Sequence, residues 1–175
     1  MIASYLAYYV IKPSGRTNYG SLIDPRQYPI PALGSTSLDG KPTALDAYKG
    51  KWIMLQVGGG DCQADCRTHL LNMRQLRLMQ GKEMERIERV WLITDAQPLD
   101  TTLMREYDGT RMLRAQAEAV NKWLPLELEN GADRASDHLY LIDPLGNLMM
   151  RFPKDADPNK VKKDLYKLLK ASAIG

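Results

Sequence analysis

The clearest pattern along the chain is a pair of short apolar runs bounded by turn-forming or polar residues. These runs are WIMLQV at 52–57 and RVWLIT at 89–94. Continuous apolar runs of this length are typical of strands buried on both faces of a sheet. Between them, Leu70, Met73 and Leu76 fall on one stripe of 63–80, which predicts an amphipathic helix. The pattern therefore predicts a strand–helix–strand unit with parallel strands and a right-handed crossover.

The remaining pattern adds two hairpins and further helices. The segment LYLIDPLGNLMMRF at 139–152 has two apolar runs around turn-forming residues, which predicts a β-hairpin. The dipeptide Asp39-Gly40 indicates an earlier, N-terminal hairpin. Helical patterns continue through 112–124 and close the chain over 159–173. This order predicts an α/β fold of the thioredoxin-like type, a central mixed β-sheet with helices on both faces and an N-terminal β-hairpin.

The first third of the chain divides into segments of different character. Residues 1–11, MIASYLAYYVI, are apolar and uncharged, but a membrane-spanning helix needs roughly 20 apolar residues. We interpret this run as the remnant of an N-terminal membrane anchor whose first half is missing; an ordinary buried helix or strand is the alternative. Residues 12–34 are rich in Pro and Gly, which predicts an extended linker or wrapping segment. The thioredoxin-like domain is assigned to 35–175.

Composition narrows the classes of function. The chain has 175 residues, which is enough for one domain with a substantial core. The net charge is only +3, and no run of Lys and Arg is interleaved with aromatic residues, so we expect no nucleic-acid partner. The two cysteines are too few for a disulfide scaffold, and they lie close together in the chain. This spacing favours a chemical role for the pair over a structural one.

The two cysteines lie in the segment GGGDCQADCRTHL at 58–70. The glycines match neither the phosphate-binding loop nor the dinucleotide fingerprint, so they predict a tight turn from strand to helix. Cys62 lies near the predicted helix N-terminus, where the helix dipole lowers the pKa of a thiol and stabilises the thiolate. Cys66 follows one turn later on the same face. The two sulfurs can therefore hold one metal ion or form a disulfide.

The available ligands narrow the choice of metal. Two thiolates with one imidazole suit Cu(I), whereas a structural zinc site would need both histidines in addition to the cysteines. His69 can lie along the same helical face as Cys62 and Cys66. His138 immediately precedes a predicted strand and can approach from the adjoining loop. For each histidine, the alternative is an ordinary surface or hydrogen-bonded side chain.

Four segments together resemble the Sco/SenC family, and the resemblance extends over about 31–169. They are LDGKP, the Cys-x3-Cys pair after a strand, LITDAQPLDTTLMREY, and DHLYLIDPLGNLM before the closing helix. The resemblance implies a divergent thioredoxin-fold metallochaperone that binds copper, as Cu(I) or Cu(II), through Cys62, Cys66 and His138. It also implies an inner-membrane anchor, a soluble domain in the periplasm, and the copper-bearing subunit of cytochrome c oxidase, or another copper or thiol protein, as partner.

Other functions remain open for the same cysteine pair. A thiol–disulfide oxidoreductase would use Cys62 and Cys66 as a redox pair and would need no histidine. A binding scaffold with an incidental disulfide is a further alternative, because fold alone does not define function. A thioredoxin-fold peroxidase is disfavoured, because its Pro-x3-Thr-x2-Cys signature is absent before Cys62.

Overall fold

A seven-stranded mixed sheet forms the centre of the protein in a computed structural model, which describes residues 18–124 and 134–172. The strands are β1 (Ser21–Leu22), β2 (Thr36–Ser37), β3 (Trp52–Gly58), β4 (Ile87–Ile93), β5 (Thr110–Arg114), β6 (Tyr140–Ile142) and β7 (Leu148–Arg151). Their spatial order is β1-β7-β6-β3-β4-β5-β2. The strands β3, β4 and β5 are parallel, and all other neighbours are antiparallel. This confirms the predicted mixed sheet.

Helices cover both faces of the sheet. The α-helices are α1 (Ala64–Leu78), α2 (Thr101–Glu106), α3 (Ala117–Trp123) and α4 (Pro158–Ala171), and short 3-10 turns lie at Leu45–Tyr48, Gly81–Arg86 and Ala135–Asp137. Buried residues of α1, α2 and α4 contribute to one hydrophobic core, and those of α3 contribute to a second. The predicted thioredoxin-like class is therefore confirmed.

The central strand β3 lies between the two cores. Trp52 and Met54 belong to the core on the side of α1 and α4, whereas Ile53 and Leu55 belong to the core on the side of α3. Successive side chains of a strand point to opposite faces, so a strand covered on both sides needs apolar residues at nearly every position. This double burial explains the continuous apolar run of the sequence.

The prediction of a helix over 112–124 is wrong in its first part. The chain there forms the strand β5, which pairs in parallel with β4, and α3 begins only at Ala117. Gly109, with a φ of +94°, makes the turn that leads into β5. Pairing with β4 and burial of Leu113 outweigh the moderate helix propensity of this segment.

The predicted N-terminal hairpin forms around Asp39 and Gly40. Its first strand is β2, and Thr36 makes an antiparallel bridge to Pro42. Within the predicted wrapping segment, the described part from residue 18 onward includes β1, which adds to the sheet edge beside β7. The predicted anchor at 1–11 lies outside the described residues. Among the helices that the structure describes, none has the length and apolarity to cross a membrane.

Candidate functional site

Cys62 and Cys66 are joined by a disulfide with an S–S distance of 2.06 Å. The bond spans the turn between the end of β3 and the first turn of α1, where the sequence predicted the pair. Cys62 is only 2% exposed and has a φ of +42°, whereas Cys66 is partly exposed. The structure therefore shows the pair in its oxidised form, and Cys62 is shielded from solvent.

The glycines before Cys62 let a neighbouring loop come close to the turn. A Cβ on Gly60 would lie 2.5 Å from the carbonyl oxygen of Gln97, and a Cβ on Gly59 would lie 2.5 Å from Asp95 Oδ2. Asp95 Oδ1 accepts hydrogen bonds from the Gly60 N–H at 2.9 Å and from the Gln97 N–H at 3.1 Å. The turn and the loop after β4 thus hold one another in place.

The other end of this loop contacts the cysteine-bearing helix. Asp100 accepts a hydrogen bond from the Thr102 N–H at 2.9 Å and so caps α2. Asp100 Oδ2 also lies 3.5 Å from Arg67 Nη2, on α1 immediately after Cys66. Both side chains are about half exposed, so this ion pair contributes little to stability.

A buried amide contacts the disulfide from the sheet. Gln56 on β3 is 0% exposed, and its Nε2 donates a hydrogen bond to Cys66 Sγ at 2.9 Å. Gln56 is not among the site residues predicted from the sequence. The signal was present, because Gln56 is the polar position in the otherwise apolar run WIMLQV.

His138 is buried and hydrogen-bonded to the backbone just after β7. It is 1% exposed, its Nδ1 lies 2.7 Å from the carbonyl oxygen of Phe152, and its ring makes an edge contact with Tyr140. The bond to Phe152 fixes the orientation of the ring. The proposed role of His138 as a metal ligand stays a prediction.

His69 lies on the wall of a cavity of about 310 Å³ beside α1. The cavity is also lined by Asp65, Asp137 and Asp155. Burial lowers the pKa of His69 below its ordinary value of 6.5, and the negative charge of Asp65 partly opposes this effect. His69 is therefore held mainly neutral at pH 7.

The donor atoms fit copper only in part. Thiolates are suitable ligands for Cu(I), but here the two sulfurs are bonded to each other. Over 18–124 and 134–172, no three side chains of His, Cys, Asp or Glu are arranged to hold a metal ion. The disulfide form thus does not offer the three-ligand site implied by the resemblance, and reduction is needed to free the thiolates.

Comparison with known proteins identifies the family of the region that carries the two cysteines. Residues 52–172 match the family described as transmembrane-like, thioredoxin-like, C-terminal domain. No curated protein sequence matches the chain significantly.

Several solved structures share the fold at low sequence identity. A SCO1/SenC family lipoprotein from Bacillus anthracis is 21% identical, with a TM-score of 0.60 over 85% of this chain and 99% of that chain. Yeast Sco1 with copper bound is 15% identical, with a TM-score of 0.60 over 82% and 96%. BsSco, a member of the Sco family of cytochrome c oxidase assembly proteins in which a disulfide switch was identified, is 14% identical, with a TM-score of 0.58 over 85% and 98%.

The resemblance to the Sco/SenC proteins that the sequence indicated is thus confirmed in the fold, at the low identity expected of a divergent chain. The family match covers most of the thioredoxin-like region, including the strand before the cysteines and the closing helix. The chain therefore belongs to the family of transmembrane-like, thioredoxin-like, C-terminal domains.

Proposed function

We propose that this protein is a thiol–disulfide redox factor that serves the assembly of cytochrome c oxidase. Its reduced Cys62 and Cys66 would reduce a disulfide in the copper-bearing subunit of the oxidase and so prepare cysteines for copper. The observation that carries the proposal is the Cys62–Cys66 disulfide at the start of α1, where a helix N-terminus favours thiolates.

The exchange conserves electrons and atoms. One thiolate of the pair attacks the partner's disulfide and forms a mixed disulfide, and one partner sulfur leaves as a thiolate. The second thiolate of the pair then attacks the mixed disulfide, which releases the partner's second sulfur and forms Cys62–Cys66. Two electrons pass from this protein to the partner, and an external dithiol reductant restores the pair. The structure corresponds to the product of this reaction.

The likeness to Sco proteins supports the choice of partner. BsSco is a member of a family of cytochrome c oxidase assembly proteins, and it contains a disulfide switch. We also propose that residues 1–11 are part of a membrane anchor and that the domain lies in the periplasm, where disulfides form and persist. A membrane-bound periplasmic domain would face the copper-bearing part of the oxidase.

Thiol counting tests the exchange directly. The reduced protein is mixed with the oxidised soluble domain of the copper-bearing subunit, and the free thiols on each protein are alkylated and counted by mass spectrometry. We expect the partner to gain two thiols as this protein loses two. The variant with Cys62→Ser and Cys66→Ser is the control. Equal thiol counts before and after mixing would rule out the proposed exchange.

A second candidate function is delivery of copper as cargo. It is favoured by the placement of two soft sulfur donors four residues apart at the start of α1 and by the copper-bound structure of yeast Sco1. Reduced protein loaded anaerobically with Cu(I) should retain one equivalent, and the double cysteine variant should retain none. His138→Ala and His69→Ala form a matched pair, of which only His138→Ala should weaken retention. Retention of copper by the double cysteine variant would contradict this function.

A further inference from the structure

Gln56 occupies a position where a polar side chain is costly. It lies on the central strand, on the same face as Trp52 and Met54, and its register partner on β4 is Trp91. An amide placed among such residues loses its hydration, and the loss is offset only by hydrogen bonds within the protein. The side-chain amide of Gln56 donates its hydrogen bond from Nε2 to Cys66 Sγ.

The strength of this hydrogen bond depends on the redox state of Cys66. In the disulfide form, Nε2 donates to a neutral sulfur, and Oε1 has no hydrogen-bond partner among the residues described. Hydrogen bonds to an ionised acceptor are about twice as strong as bonds between neutral groups. Breaking the disulfide to leave a thiolate on Cys66 therefore strengthens a bond that is already in place. The amide favours negative charge on Cys66 rather than on Cys62.

The exposure of the two cysteines points in the same direction. Cys62 is 2% exposed, packs in the core and has a left-handed backbone, whereas Cys66 is partly exposed. A sulfur that attacks a partner protein must be reached from outside, but a resolving sulfur needs only to reach its neighbour. The helix α1 begins at Ala64, so Cys66 lies in its first turn, whereas Cys62 precedes the N-cap Gln63 and gains less from the helix dipole than the sequence predicted. The better stabilised thiolate and the more accessible residue are thus the same, Cys66.

We propose that Cys66 is the attacking cysteine, that Gln56 is a positioning residue that stabilises its thiolate, and that buried Cys62 resolves the mixed disulfide. This order rests on the proposed thiol–disulfide exchange and assigns its two steps. Cys66 Sγ bonds to one sulfur of the substrate disulfide while the other leaves as a thiolate. The Cys62 thiolate then bonds to Cys66 Sγ and displaces the remaining substrate sulfur, so two electrons leave the pair.

Single cysteine variants test the order of attack. Cys62→Ser and Cys66→Ser are each incubated with oxidised glutathione at pH 7, and the mixed disulfide is followed by mass spectrometry. We expect Cys62→Ser, which retains Cys66, to form it at least about tenfold faster, since the thiolate is the nucleophile. Equal rates, or a faster reaction of Cys66→Ser, would overturn the proposed order.

The role of Gln56 is tested in the Cys62→Ser background, in which Cys66 is the single thiol. Adding Gln56→Met keeps the volume of the side chain and removes the N–H donor. The thiol pKa of Cys66, from the ultraviolet absorbance of the thiolate, should rise by about one unit. The attack on glutathione disulfide at pH 7 should slow several-fold, because the thiolate fraction falls more than the intrinsic nucleophilicity rises.

Gln80→Met is the matched control, because Gln80 is also a buried glutamine but bonds to the Lys162 carbonyl oxygen on α4. It should change neither the thiol pKa nor the rate, and circular dichroism checks the fold of each variant. Gln56→Glu, which also replaces the amide donor, should raise the thiol pKa even further. An unchanged pKa in both Gln56 variants would overturn the role of Gln56. These readouts need no protein partner, so failure of oxidase-subunit exchange alone would count against the proposed function instead.

Discussion

Gly60 is the residue on which the geometry of the cysteine turn depends most closely. A Cβ at this position would lie 2.5 Å from the Gln97 carbonyl oxygen, which is backbone and cannot turn aside. We expect Gly60→Ala to lower the free energy of unfolding by about 1–3 kcal/mol, as overpacking does. Gly58→Ala is the matched control, because its Cβ would meet nothing closer than Ser136 Cβ at 3.9 Å. Chemical denaturation of the two variants measures the difference, and equal stability would contradict the close approach of the loop.

His69 should make stability depend on pH. Burial lowers its pKa in the folded protein, so the unfolded chain binds more protons between the folded pKa and 6.5. The contribution of His69 is therefore fully present above pH 6.5 and is lost as the pH falls through the lowered pKa. We expect His69→Gln to remove this part of the acid destabilisation. The free energy of unfolding, measured between pH 4 and 8, gives the slope; identical slopes in the two proteins would contradict the prediction.

At the residue scale, the sequence predicted the site residues whose partners lie close to them in the chain. The spacing of Cys62 and Cys66 was sufficient to predict a convergent pair. Gln56 was missed because its contact with Cys66 joins a strand to a helix, and only the three-dimensional structure shows that contact. The surroundings of His138 depend likewise on Phe152, which directly follows β7 and is distant from His138 in the sequence.

At the scale of elements, Asp164 on α4 holds the described start of the chain. Its carboxylate accepts hydrogen bonds from the Tyr19 N–H at 3.1 Å and the Gly20 N–H at 2.8 Å. We expect Asp164→Asn to lose one of these bonds and to lower the free energy of unfolding by about 1–3 kcal/mol. Amide hydrogen exchange at Tyr19 and Gly20 should accelerate. Asp155→Asn, at an exposed position, is the control, and equal exchange in the two variants would contradict the tether.

The elements that the sequence predicted best are those with strong periodicity. Apolar patterns distinguish strand from helix clearly for the core strands β3 and β4 and for the helices α1 and α4. Residues 112–114 of β5 were predicted as helix because MLR carries no clear alternation and contains good helix formers. Its conformation is set by pairing with β4, which local sequence does not encode.

At the scale of the whole molecule, the fold should survive reduction of the disulfide. The cysteines are four residues apart, so in the chain-entropy model the bond adds only about 2 kcal/mol. The two cores on either side of the sheet supply the rest of the stability. We expect the far-ultraviolet circular dichroism spectrum to be unchanged by a dithiol reductant, with a modest fall in Tm. Cooperative unfolding on reduction at 25 °C would show instead that the disulfide is structural.

The overall architecture was predictable because the order of strands and helices allows few topologies. The edge strand β1 was not predicted, since its two residues in a Pro- and Gly-rich segment gain their conformation from β7. Function is less determined by the fold, because a thioredoxin-like domain supports redox, copper-binding and scaffold roles. The redox chemistry of the cysteine pair distinguishes among them.

The reduction potential of the Cys62–Cys66 pair tests the central claim most directly. The protein is equilibrated with mixtures of reduced and oxidised glutathione or of a dithiol, and the fraction of disulfide is measured after rapid alkylation. An exchanging pair should titrate reversibly as a two-electron couple with a potential above about −300 mV. A potential well below this value, or a disulfide that does not equilibrate with these couples, would show that the bond is an inert structural link and would contradict the account.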